Sequence, residues 1–252
     1  MTVDWSPLTA EMAIWRREAR VLPIWWRDDD AVKGTPALAQ LTGLAETLGL
    51  PVHLAVIPKF AQASLIEVCR SPWTVAMVHG WAHQNHAPEG QKKAEFGWPR
   101  EGAADEIQQG IGALKQMFGA DLVPVFVPPW NRIDADLIAA LPDLGFAGLS
   151  TFTPRAARLA APGLVQINTH VDPIYWKGGG GLAPPEVQIA TLVQNLQDRR
   201  FGRTDNAEPM GFLTHHLVHN RDIWAFTEAC LGTLLDAGAV PCNLHDLKGN
   251  LP

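Results

Sequence analysis

Short runs of consecutive apolar residues alternate along this chain with longer stretches of helical periodicity. The runs cover 21–26, 52–57, 73–78, 123–127, 146–151, 164–170, 210–214 and 240–244. Unbroken hydrophobicity over so few residues predicts strands buried on both faces. Between them, Thr35-Pro36 opens a helix with Leu38, Leu41, Leu44, Ala45 and Leu48 on one stripe and Gly49 as its stop. The segment 101–118 carries Ile107, Ile111, Leu114 and Phe118 at helical spacing. Segments 134–144, 185–200 and 221–237 read as three more helices, and an N-terminal helix at about 8–19 covers one end. Strands alternating with helices predict βα units and a parallel sheet. Seven or eight such units in a single domain over 1–252 predict a (β/α) barrel, with an open doubly wound sheet as the structural rival. No GxGxxG occurs. The glycine run at 178–181 lacks a following Lys-Ser/Thr and reads as a loop.

Composition narrows the classes. A chain of 252 residues, 47% hydrophobic, can bury one large core. A net charge of -6 disfavours a nucleic-acid partner, since phosphate binding wants a basic surface. No apolar run is long enough for a membrane span. The N-terminus has no basic head followed by an unbroken apolar stretch, so no signal peptide and a cytoplasmic location are expected. Cys69, Cys230 and Cys242 are far apart, and read as small buried hydrophobes rather than disulfides or metal ligands. The sequence leaves the oligomeric state open.

Five clusters of chemically active residues follow predicted strands: 26–30 (Trp-Arg-Asp-Asp-Asp), 79–83 (His-Gly-Trp-Ala-His), 127–132 (Val-Pro-Pro-Trp-Asn-Arg), 170–176 with His170, Asp172 and Trp176, and 213–216 (Leu-Thr-His-His). In a barrel, the C-terminal ends of the strands share one face. Three adjacent carboxylates, Asp28, Asp29 and Asp30, are costly to bury without a compensating cation. They form either a solvated turn or a site in which one aspartate binds a metal and its neighbour acts as a base. His79 and His83, four apart, would share one face on a helical turn and could share one ion. Two histidines and one aspartate leave coordination positions open, as catalytic metal sites do. Zinc is the default; cobalt, nickel, manganese or iron also suit the set. Pro128-Pro129 stiffens the turn that presents Trp130. Trp130 and Trp176 offer flat faces suited to sugar rings. His215, after a strand, can give a proton to a leaving group. Asp172 could orient a catalytic histidine or bind Arg132.

Taken in order, the clusters resemble the NodB-type polysaccharide deacetylase family. The matching elements are Asp28-Asp29, His79 with His83, Pro128-Pro129-Trp130, Asp172 with Trp176, and Leu213-Thr214-His215. The resemblance implies a distorted (β/α) barrel and metal-dependent removal of N- or O-acetyl groups from a carbohydrate or related small molecule. It implies Asp28 as general base, Asp29, His79 and His83 as metal ligands, and His215 as general acid. The Trp130 backbone N–H would help hold the oxyanion, with Asn131, Asp172 and Trp176 toward the substrate. Three departures stand out. Trp26-Arg27 replaces the family's Thr-Phe, Val127 replaces the arginine that steadies the base, and Asp30 stands in place of glycine. The last could move base and ligand by one position. Arg27 adjoins Asp28, and strand neighbours face opposite ways. Arg132 is therefore expected to curl back within salt-bridge reach of residues 28–30. The alternatives are a cofactor-independent amidohydrolase on the same barrel, acting on a small cyclic amide, and a non-catalytic carbohydrate-binding protein. The missing arginine at Val127 favours the latter.

Overall fold

In chain order the computed structural model, which describes residues 3–245, runs α1 (Ser6–Arg17), β1 (Pro23–Ala31), α2 (Pro36–Leu48), β2 (Val52–Val56), α3 (Ser64–Val68), β3 (Thr74–His79), α4 (Ala103–Phe118), β4 (Leu122–Val127), α5 (Ala135–Ala140), β5 (Gly148–Leu149), β6 (Leu159–Ala161), β7 (Leu164–Gln166), β8 (Ile174–Tyr175), β9 (Gly181–Leu182), α6 (Pro185–Arg200), β10 (Met210–Thr214), α7 (Arg221–Asp236) and β11 (Val240–Pro241). Local chemistry accounts for the helix ends. The Thr35 hydroxyl accepts from the Leu38 N–H at 3.0 Å, Pro36 opens α2, and Gly49 closes it in the left-handed region at φ 61°. Asn220 caps α7 by accepting from the Ile223 N–H at 2.9 Å.

The strands pair in the order β10-β1-β2-β3-β4-β5-β7-β6, and all these pairings are parallel except β6 with β7. The chain beyond β7 then bonds on both sides. The Ile167 N–H reaches the Leu149 carbonyl at 2.9 Å, the His170 N–H the Gly211 carbonyl at 2.8 Å, and the Leu213 N–H the Val171 carbonyl at 2.8 Å. The sheet thus returns to β10, and seven parallel strands make a distorted ring. Glu208, fully buried, ties this seam together by accepting from the backbone N–H groups of Arg155 (3.0 Å) and Asn168 (2.9 Å).

Two apolar regions follow from strand alternation. Trp25, Ala55, Val75, Met77, Val123, Val125, Val127 and Ile167 pack inside the ring. Ile24, Trp26, Leu54, Val78 and Phe126 face outward, against the stripes of α2, α4 and α7. β6 and the β8–β9 hairpin are additions to the predicted elements; at two or three residues each they are too short to carry a hydrophobic period. Cys230 is buried and Cys69 and Cys242 are half-buried, and none forms a disulfide. Among the described residues no helix is long and apolar enough to cross a membrane.

Candidate active site

Alternation along β1 sorts the three aspartates. Trp25 points into the ring and Trp26 toward the helices. Arg27 and Asp29 therefore follow Trp25 inward, and Asp28 follows Trp26 outward. At Asp30 the alternation breaks. The register of β1 against β2 shifts between Asp28 and Ala31, and Asp30 takes φ 74°. The break carries Asp30 to the same cleft as Asp29. That cleft, of about 710 Å³ at the C-terminal ends of the strands, is lined by every residue expected in the site except Asp28; Asp30, Phe152, Ile174 and Leu213 complete it.

The carboxylate that joins the two histidines is that of Asp30, not Asp29 as the family pattern implies. Its Oδ1 lies 3.2 Å from His79 Nε2 and 3.3 Å from His83 Nε2. The three ligand atoms all fall within 4.8 Å of one another. Oδ1 of Asp30 is buried, with the two imidazole nitrogens as its neighbours. His79 Nδ1 sits 3.0 Å from the Val127 carbonyl, which can only accept, so in the neutral ring Nδ1 carries the proton and Nε2 the lone pair. Two ring nitrogens converging on one buried carboxylate oxygen form a donor set that fits a divalent ion. Burial opposes charge on Asp30 and His79. The imidazoles nevertheless hold Asp30 well below the usual carboxylate range, and Asp29 and Asp30 raise His79. Burial and the neighbouring His79 lower His83. The spacing of the histidines works without the helical turn it suggested. The segment is an irregular loop curled by positive φ at Gly80 (54°) and His83 (53°).

Arg27 and Asp29 form a buried pair. Nε lies 2.9 Å from Oδ1 and Nη2 donates to Oδ2 at 3.1 Å. The guanidinium is itself held by Asn131 Oδ1 (2.7 Å), Ser150 Oγ (2.8 Å) and the Thr151 carbonyl (3.2 Å). This corrects the expectation for Arg132, which lines the cleft wall but donates to the Lys93 carbonyl at 2.9 Å and makes no ion pair with the aspartates. The physical reason is parity. Arg27 does point away from Asp28, but Asp29, two residues on, shares its face. Asp28 is a second correction. It is fully buried outside the ring, and its carboxylate is taken up by Thr214 and His216. Asn131, expected toward the substrate, also serves Arg27.

Across the cleft, His215 Nε2 stands 3.9 Å from Asp29 Oδ2, and the Trp176 ring packs edge-on to His215 at 4.9 Å. Asp172 accepts from Trp176 Nε1 at 2.8 Å and from the Ile174 N–H at 2.9 Å, so its partner is Trp176 and not Arg132. Burial raises the pKa of Asp172. His170, two residues before it, turns away to Glu208 at 3.2 Å. Trp130 and Asn131 both adopt φ 57°, and the Trp130 ring meets His83 at 4.2 Å. Sequence reasoning missed Glu95. This buried carboxylate sits under the histidine loop and accepts from the N–H groups of Trp81 (3.2 Å) and Ala82 (2.7 Å). Nothing in its sequence neighbourhood marks it, because its partners are backbone groups.

No protein-family model and no curated protein matches this sequence. Solved structures do match. The chain is similar to a family 4 carbohydrate esterase from Streptomyces lividans in complex with acetate, at 14% identity over 90% of this chain and 95% of that one, with a TM-score of 0.55. It is similar to the chitin deacetylase of Colletotrichum lindemuthianum at 15% identity, over 91% and 88%, with a TM-score of 0.53. It is also similar to the Bc1960 peptidoglycan N-acetylglucosamine deacetylase at 15% identity, over 91% and 89%, with a TM-score of 0.55.

Proposed function

We propose that this chain, which has the fold of the NodB-type polysaccharide deacetylases and family 4 carbohydrate esterases, is a metal-dependent hydrolase that removes N- or O-acetyl groups from a carbohydrate or related small molecule. The observation that carries the reading is the convergence of three kinds of group on one cleft. Asp30, His79 and His83 offer a ligand set, Asp29 is held by Arg27, and His215 faces Asp29 at 3.9 Å. A divalent ion, zinc by default, held by Asp30, His79 and His83 would acidify a water and polarise the acyl oxygen. Asp29 accepts the water's proton. Its two-point contact with Arg27 fixes its orientation. His215 gives a proton to the departing sugar nitrogen or oxygen, and Asp172 and Trp176 hold that side of the cleft. The Trp130 backbone N–H is the proposed oxyanion donor. Trp130 and Trp176 supply apolar walls for a sugar.

The non-catalytic reading rested on the missing arginine at Val127. Arg27 now supplies the guanidinium from the other side of the site, and that argument lapses. The test is acetate release from N- and O-acetylated oligosaccharides by protein that is zinc-loaded, stripped with chelator, and reloaded. Release that disappears on stripping and returns on reloading is expected. Release indifferent to chelator would contradict the metal dependence, and no release under any condition would contradict the deacetylase reading and favour the cyclic-amide amidohydrolase or the binding protein.

A further inference from the structure

Asp28 and His216 form a buried acid–imidazole pair for which the proposed chemistry has no use. Asp28 is entirely buried and His216 is 1% exposed. His216 Nδ1 lies 2.5 Å from Asp28 Oδ1. The other carboxylate oxygen accepts from the Thr214 hydroxyl at 2.6 Å and from the His216 backbone N–H at 3.0 Å. Thr214 in turn accepts from the Trp26 indole N–H at 2.8 Å. All four side chains lie on the outer face of the ring, where Asp28 pairs in register with Thr214. Three of the four have a next-door neighbour that lines the cleft. Asp28 is followed by Asp29, and Thr214 and His216 flank His215.

We propose that the Asp28–His216 pair is a positioning device that locks the end of β10 to β1, and so sets His215 at its working distance from Asp29. The geometry argues for this over a general contribution to stability. A buried ion pair is costly to desolvate and often adds little net stability over apolar side chains of similar volume. What it adds is direction. The carboxylate bonds to a backbone N–H immediately after His215 and to the hydroxyl immediately before it, which leaves the intervening residue little freedom. β10 ends at Thr214, and the His215 backbone just beyond it bonds only locally, its N–H to His219 Nε2 at 3.4 Å and its carbonyl to the Val218 N–H at 3.0 Å among the described residues. A proton donor and a base that must meet one substrate need placement to within a fraction of an ångström.

The inference rests on the proposed roles of Asp29 and His215, but it can be read without them. Asp28→Asn and His216→Gln would be measured for kcat, KM, zinc affinity, thermal midpoint and the ring signals of His215 in a nitrogen-correlated NMR spectrum. Those signals are assigned with His215→Gln. The expected result is a kcat lowered roughly 10- to 100-fold, KM and zinc affinity within about twofold, and displaced His215 ring signals. A variant with a lower thermal midpoint but kcat within about twofold of the parent and unmoved ring signals would overturn the proposal, leaving a purely structural pair. If the parent shows no hydrolysis, the function reading fails on its own. The ring signals still decide this one: displacement supports it and constancy overturns it. Should either substitution prevent folding, Thr214→Val, which removes one hydrogen bond from the same carboxylate, is read by the same outcomes.

Discussion

The role proposed for Asp29 as a base depends on its neighbours as much as on its own chemistry. Such a carboxylate must be held still, and the Arg27 fork supplies a complementary charge and a fixed orientation. Asp29→Asn is expected to keep zinc affinity within a few-fold and to lower turnover by about 10²–10⁴. Steady-state kinetics and a zinc competition titration would check both halves. Arg27→Lys keeps the charge but loses the planar fork and its further bonds to Asn131 and Ser150. Its kcat should fall roughly 10- to 100-fold with zinc affinity unchanged; an equal loss of both would show that Arg27 supports the ligand set instead. At this scale the sequence revealed which residue types gather, but not their order. Period-two alternation separates Asp28 from Arg27 and joins Arg27 to Asp29, so that pairing was available from the spacing. The inward turn of Asp30 was not, since it comes from a register shift and a positive φ that no side-chain pattern encodes.

The loop after β3 shows how an element brings a proposed metal ligand into place. His79 ends a strand, and four residues later His83 returns to the same point because Gly80 and His83 are both left-handed. A Cβ at Gly80 would stand 2.3 Å from Glu95 Oε2 and 2.5 Å from Pro129 Cδ, so the turn needs glycine for space as well as for conformation. Glu95 holds the loop from beneath through backbone N–H groups. Glu95→Ala would leave those half-buried donors without their carboxylate partner, at a cost of about 1 kcal/mol, the low end for an unsatisfied donor. It should also loosen zinc binding roughly tenfold, as losses of outer support around metal sites do. Urea denaturation and zinc titration would show the two effects together. Unchanged zinc affinity would mean that His83 is placed by other contacts. The helix–strand alternation was legible because α2, α4, α6 and α7 carry full apolar stripes and long runs mark β1 to β4. β8 and β9 were not, because their placement depends on pairing rather than on pattern. The histidine spacing was legible too, although the helical turn inferred from it was not the conformation that realises it.

The ring as a whole is closed by hydrogen bonds between the chain beyond β7 and β10, and this closure brings five separated clusters to one cleft. Its interior also contains acid sensitivity. His53 is fully buried, with Nδ1 2.9 Å from the Trp26 carbonyl and Nε2 accepting from the Leu244 N–H at 3.0 Å. This arrangement needs the neutral ring, and burial lowers the pKa from the ordinary 6.5 to about 4. Between those values the unfolded chain binds a proton that the folded chain does not. The contribution of His53 is therefore constant above about pH 6.5 and falls as pH drops toward 4, by a total on the order of 3 kcal/mol. Urea midpoints at pH 7.5 and 5 for the parent and for His53→Asn would check this: the substitution should shrink the difference, with His219, also lowered by burial to about 4, carrying part of what is left. The proposed division of roles in the cleft turns on whether Asp30, His79 and His83 hold a metal ion. Crystals grown with zinc, measured with X-rays on either side of its absorption edge, test this most directly. The prediction is one anomalous peak in the cleft, about 2.0–2.2 Å from a carboxylate oxygen of Asp30 and from Nε2 of His79 and His83, with Asp29 outside the coordination sphere and still paired with Arg27. A peak ligated by Asp29 or Asp28 in place of Asp30, or none in the cleft with zinc in excess, would contradict it.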